Sequence, residues 1–260
     1  MATATALRLQ IEESLATRFP AALSPVPRTI RETQETGIAE VDVLLEGGLP
    51  VGAISEVIGP ESSGRTTLSL RFVARCTARG QVCAWVDAGD TLDPESAAAS
   101  GVLLPQLLWI RCTGDNAAAP ATNNKRMRKV WSHLDQALRA TDLLLQAGGF
   151  AALVLDLGSV DPAQGMRIPL ATWFRFRQAA NRTRCSLLVL GRASYAQSSA
   201  AVVLDCASLH PEALGGRVLH GCGFMMSRRR ERFTQLSQQQ RKPPAMTWSA
   251  CTAWAAEKSA

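Results

Sequence analysis

The residues best suited to chemistry lie together at Gly59-Pro60-Glu61-Ser62-Ser63-Gly64-Arg65-Thr66-Thr67. Two glycines five positions apart let a short loop close around an anion. A basic residue follows the second glycine, and a hydroxyl follows the basic residue. Between a strand and a helix, this order wraps backbone N–H groups around phosphates and aims the helix N-terminus at them. All nine residues are therefore candidate phosphate contacts, and the Thr66 hydroxyl is placed to hold Mg²⁺. One residue departs from the pattern: the motif asks for lysine where this chain has Arg65. Lysine is a compact point charge that fits between the outer phosphates, whereas arginine is longer and planar. Arg65 keeps the charge but is not expected to seat in the same cradle. The plainer alternative is a strand-to-helix turn rich in glycine and serine that binds nothing.

Asp156 is a second candidate, closing the apolar run Ala151-Ala152-Leu153-Val154-Leu155. A carboxylate at the C-terminal end of such a strand is where phosphate-loop proteins place another Mg²⁺ contact. Thr66 and Asp156 are thus the candidate metal contacts. His133, His210 and His220 show no metal-ligand spacing. The seven cysteines include no C-x-x-C pair, so neither a zinc site nor a disulfide framework is expected, and the thiols read as reduced.

The elements that must position these residues alternate in type. Ile38–Leu45 reads as a short helix closed by Gly47-Gly48. Residues 53–59 alternate as a strand, and 66–80 are helical to Gly80. Strands are expected at 82–88, 107–112, 151–157 and 185–191, with helices at 93–100, 122–147 and 170–182. Such alternation implies right-handed crossovers and an α/β fold with a mostly parallel central sheet covered on both faces. After 191 one strand, 201–208, is expected. Three parts follow: an arm at 1–30, a core at 31–214 and a basic segment at 215–260. The arm carries Leu7, Ile11, Leu15 and Phe19 at helical spacing before a proline-rich linker.

At 260 residues, with 47% hydrophobic and 19% charged, the chain is long and apolar enough for a real core, which excludes a mainly disordered protein. It has no apolar run of about 18 residues and no apolar signal core near the start, so a cytoplasmic protein without membrane attachment is expected. The net charge is +6. From Gly215 onward eight basic residues face two acidic ones, so the first 214 residues are neutral and the excess sits at the end. Arg228, Arg229, Arg230 and Arg232 form its centre and are candidate contacts to nucleic-acid phosphates or to an acidic protein. A solvated surface run is the plainer alternative.

The stretch from Gly47-Gly48-Leu49-Pro50 through Gly59–Leu68 resembles the bacterial RecA family, whose loop reads G-P-E-S-S-G-K-T-T. Val86-Asp87-Ala88 and Leu92-Asp93-Pro94 resemble the family's D-A-E-x-x-L-D-P. The resemblance covers about residues 37–207. It implies a RecA-like phosphate-loop core, ATP with Mg²⁺ as cofactor, and an arm that docks between subunits. The departures carry as much meaning as the match. Gly89 stands where the family has its catalytic glutamate, with Asp90 one residue late as a weak substitute. Ser96 stands where the family stacks a tyrosine on adenine. Gly191 and Arg192 replace the Asn-Gln pair that senses the γ-phosphate. The DNA-contacting loop that follows is shortened to about Ala193–Ala200.

This pattern of losses is similar to the ImuA branch, RecA-like accessory proteins of damage-induced mutagenesis that work beside an ImuB-like relative of Y-family polymerases. Two functions stay open. One is an accessory or regulatory protein of the bacterial DNA damage (SOS) response, supporting translesion synthesis through contacts with RecA or an ImuB-like partner. There ATP hydrolysis is lost, and DNA is met weakly through the basic segment. The other is an ATP-dependent recombinase that binds single-stranded DNA.

Overall fold

In a computed structural model the described residues are 32–112, 132–214, 218–231 and 245–251. The expected arm at 1–30, residues 122–131 of the expected long helix, and Arg232 lie outside them. In chain order the elements are β1 (Thr33–Gln34), α1 (Ala39–Leu44), β2 (Leu49–Pro50), β3 (Ile54–Ile58), α2 (Arg65–Ala78), β4 (Cys83–Asp87) and α3 (Pro94–Ala99). There follow β5 (Leu107–Arg111), α4 (His133–Ala147), β6 (Ala152–Asp156), α5 (Pro162–Gly165), α6 (Leu170–Thr183) and β7 (Ser186–Gly191). The chain then forms β8 (Ala200–Leu214), β9 (Val218–Glu231) and β10 (Ala245–Cys251).

Eight strands form the main sheet in the order β10-β9-β8-β3-β7-β6-β4-β5. From β8 to β5 every pair is parallel. This is the expected α/β architecture, and its cause is visible in the strands. In β4, Cys83 and Trp85 face one apolar cluster while Ala84 and Val86 face the other. In β6, Ala152 and Val154 oppose Leu153 and Leu155 in the same way. Successive side chains point to opposite faces, so a strand buried on both sides must be apolar throughout. Helices α2 and α3 cover one face through Leu68, Phe72 and Ala97. Helices α4 and α6 cover the other through Ala137, Trp173 and Phe176.

The polar residues of β3 behave differently from the expected alternation. All five positions are buried, including Ser55 and Glu56. Glu56 is fully buried because the chain after β7 folds over it. Its carboxylate accepts from Ser194 Oγ at 2.5 Å, the Tyr195 amide at 2.6 Å and the Ala196 amide at 2.8 Å. A buried carboxylate is tolerated only when hydrogen-bonded in this way.

The segment after residue 214 corrects the expectation of a basic tail outside the core. β9 and β10 extend the sheet as antiparallel strands. The expected strand at 201–208 is the first part of the longer β8. Phe224 of β9 and Trp248 of β10 are buried in the core, their rings 4.6 Å apart. The arginine run obscures this strand, because a cluster of like charges reads as a solvated segment. In an antiparallel edge pair, cations are accommodated beside acidic neighbours. Arg228 Nη1 lies 3.7 Å from Glu46 Oε1, and Arg229 Nε lies 3.5 Å from Asp205 Oδ2. Arg230 belongs to the same strand.

Candidate functional site

Parallel α/β sheets leave a crevice beyond the carboxyl ends of their strands. There the loop 59–64 joins β3 to α2. The Gly59 amide donates to the Gly191 carbonyl at 3.2 Å, fixing the loop beside the end of β7. A Cβ on Gly59 would come within 2.3 Å of the Cys206 carbonyl oxygen. Gly64 caps α2 with φ 87°, a left-handed conformation that favours glycine, and a Cβ there would meet Phe224 at 2.6 Å. The two glycines are therefore needed for close packing as well as for the turn. Ser63 is buried with its hydroxyl unpartnered, while Pro60, Glu61, Ser62 and Thr66 are exposed and Thr67 is half-buried.

Arg65 is the first residue of α2. A cation is disfavoured at a helix N-terminus, where the backbone dipole is positive. Even so, Arg65 is only 9% exposed, and its Nη1 is buried without a hydrogen-bond partner. Burial pulls the guanidinium pKa below its ordinary value, and the nearby Asp156 carboxylate opposes that pull. The guanidinium reaches across the crevice to Gly158, where a Cβ would lie 3.4 Å from Arg65 Nη1 and 3.0 Å from Asp156 Oδ1.

Asp156 ends β6 in register with Asp87 of β4. The Asp156 carboxyl is pushed up to about 6, chiefly by burial, with the Gly158 amide and Arg65 acting against the rise. That amide donates to Oδ1 at 2.8 Å. Asp87, fully buried, accepts from the Leu92 amide at 2.8 Å and the Gly89 amide at 3.1 Å, so it shapes the turn into α3.

Arg192 closes the rim. Its Nε donates to the Gly158 carbonyl at 3.2 Å, and its Nη2 pairs with Glu61 Oε1 of the phosphate loop. Arg65, Arg192, Glu61, Ser62, Thr66 and Asp156 thus line one cavity of about 360 Å³, together with Thr91, Gly158, Ser159 and Leu190. Sequence reasoning singled out Arg192 as an altered position without finding its bridge to Glu61. The partners are 131 residues apart, and no local pattern links them.

The other candidate positions fall outside this cavity or leave it incomplete. Asp90 makes a bidentate pair with Arg111 of β5, with both contacts at 2.6 Å, and does not line the cavity. Gly89 is crowded: a Cβ would sit 2.0 Å from Ser159 Oγ. Ser96 is exposed on α3 and donates through its hydroxyl to Asp93 at 2.5 Å. Tyr195 is a buried core residue at 2% exposure. Arg228 and Arg229 lie on β9 with the acidic neighbours already described.

The residues present suit an anion better than a metal. The phosphate loop, the N-terminus of α2 and two arginines all favour negative charge. Mg²⁺ requires oxygen ligands in near-ideal octahedral geometry. Here the second carboxylate is buried, bonded to an amide, and faced by the Arg65 guanidinium. The Asp156 carboxylate already accepts from the Gly158 amide and lies beside the Arg65 guanidinium, so Thr66 and Asp156 make a poor pair of ligands for Mg²⁺.

A family model described as the RecA N-terminal domain matches residues 10–120. Protein RecA of Rickettsia bellii is 31% identical over 191 residues, covering 68% of this chain and 50% of that protein. Protein RecA of Allorhizobium ampelinum is 41% identical over 126 residues, covering 48% of this chain and 30% of that protein. The chain therefore spans half or less of the length of these relatives. A crystal structure described as the RadB recombinase superposes with a TM-score of 0.58 at 16% identity, covering 83% of this chain and 94% of the other. That likeness shows a shared fold. The matching N-terminal domain and the RecA relatives make this chain a RecA-family protein.

Proposed function

We propose that the chain is an accessory or regulatory member of the RecA family, of the ImuA kind, serving the bacterial DNA damage (SOS) response. It supports translesion synthesis through protein contacts and does not turn over ATP. One observation carries the reading: the place of the expected catalytic glutamate is filled. Gly89 brings no carboxylate, and Ser159 packs into the space its side chain would need. Asp90 does not substitute, being committed to Arg111. The post-β7 loop adds support, since Glu56 ties Ser194, Tyr195 and Ala196 to the core and leaves little chain to grip a DNA strand.

The proposed partners are RecA or an ImuB-like polymerase relative. Arg229, exposed on β9, and the residues Leu7, Ile11, Leu15 and Phe19 are the proposed contacts, Arg228 being nearly buried beside Glu46. DNA binding is weak, blind to sequence and steeply dependent on salt, as expected when phosphate charge supplies the affinity. Residues 215–260 include two strands of the sheet, so the contact on β9 is tested by a point change, Arg229→Glu, in pull-downs with each partner. ATP turnover by the purified chain, with and without single-stranded DNA, tests the loss of hydrolysis. Each removed stabiliser of the transition state costs about 10²–10³ in rate, so turnover at background is expected. Robust DNA-stimulated hydrolysis would refute the accessory reading and favour the recombinase.

A further inference from the structure

The proposed function leaves open what the phosphate-loop cavity holds once hydrolysis is set aside. We propose that it binds the diphosphate group of a nucleotide without a divalent metal, with the guanidinium of Arg65 in the place of the cation and Arg192 as a second clamp. The inference rests on the accessory reading, in which the site binds its ligand without turning it over.

Three observations converge. Arg65 is nine-tenths buried, lines the cavity and keeps a buried N–H group without a partner. A buried, unpaired donor on a charged group costs more than an exposed one, and a ligand oxygen would satisfy it once the guanidinium turns toward the cavity that Arg65 lines. Its position at the first turn of α2, adverse for helix stability, becomes favourable once an anion lies between the guanidinium and the loop amides. Arg192 reaches the same cavity from the end of β7 and is held by Glu61 and the Gly158 carbonyl. Both planar forks lie beside Gly158, so together they offer charge-assisted donors to a diphosphate, whose adjacent phosphates each accept a bidentate arginine. Exchanging Glu61 for a phosphate leaves Arg192 paired throughout. The base is given no aromatic platform at Ser96, so recognition falls on the phosphates.

Calorimetric titration of the full chain with ADP, inorganic pyrophosphate and adenosine, each in EDTA and in excess Mg²⁺, tests this directly. ADP and pyrophosphate are expected to bind in EDTA at least as tightly as with Mg²⁺, and adenosine not to bind. Arg192→Ala is expected to weaken binding in EDTA about tenfold or more, the loss of one charge-assisted contact. Arg65→Lys is expected to weaken binding in EDTA and to restore tightening by Mg²⁺, with thermal melting in the same buffers confirming its fold. Because Arg192 sits on the rim, its variant gives a second result that does not depend on a buried position. Binding of ADP only with Mg²⁺, binding of adenosine as tight as ADP, or no binding in either buffer overturns the inference. None of these touches the accessory reading, which stands or falls on turnover and pull-down.

Discussion

Gly89→Glu places a carboxylate where the family resemblance expects the catalytic glutamate, and the structure says it will not fit as the chain stands. The new Cβ would lie 2.0 Å from Ser159 Oγ, 2.6 Å from Ser159 Cβ and 3.2 Å from Thr91 Cγ2. Non-bonded carbons settle about 3.5–4.0 Å apart. The Ser159 hydroxyl can rotate away, but its Cβ moves only with the backbone. That backbone is held by the Gly158 amide on Asp156, by Arg192 on the Gly158 carbonyl, and by the Val160 amide on Leu157 at 3.1 Å. Overpacking of this kind costs about 1–3 kcal/mol. Urea unfolding of Gly89→Glu is therefore expected to show a loss of that size, and turnover to stay at background even with Arg65→Lys added. Ser159→Gly removes the two nearest of these three atoms. The pair Gly89→Glu with Ser159→Gly is expected to recover about 1 kcal/mol or more of the loss, the coupling typical of residues in contact. The reasoning fails if Gly89→Glu with Arg65→Lys keeps full stability and gains turnover without any change at Ser159.

Three further outcomes follow from the same geometry. Glu56→Ala leaves the Tyr195 and Ala196 amides buried and unpaired, at about 1–3 kcal/mol each, so denaturant unfolding should show a loss of about 2 kcal/mol or more; Glu56→Gln should cost less. Phe224→Ala removes the ring that packs on Gly64 and on Trp248. It should cost about 3–5 kcal/mol in thermal or urea unfolding, and an unchanged midpoint would contradict the packing of β9 on the phosphate loop. Burial pushes the thiols of Cys185 and Cys206 up to about 12 and that of Cys112 to about 11. Since only the thiolate reacts, alkylation of the native chain at about pH 8 should leave these three unmodified by peptide mapping, and unfolding in urea should expose them.

What the amino-acid sequence determined is what neighbouring residues decide between themselves. The apolar runs at 83–87, 152–156 and 186–191 can only be strands buried on both faces, so the parallel sheet and its helices were legible. The phosphate loop was legible too, because its glycines, its basic residue and its hydroxyls are contiguous. The substitutions Arg65, Gly89 and Arg192 stood out as departures for the same reason.

Tertiary structure alone decided what those departures do. The Glu61–Arg192 bridge, the packing of Ser159 against Gly89 and the ring of Phe224 over Gly64 join residues from separate strands and loops. Contacts between such distant residues leave no period or motif to read. The same holds for β9, whose arginine run looks solvated until β8 and its acidic neighbours are in place beside it. It holds also for Glu56, whose charge suggests an exposed position until the chain after β7 closes over it with three hydrogen bonds. A charged residue takes its environment from whatever the fold brings to it, and that information is not local.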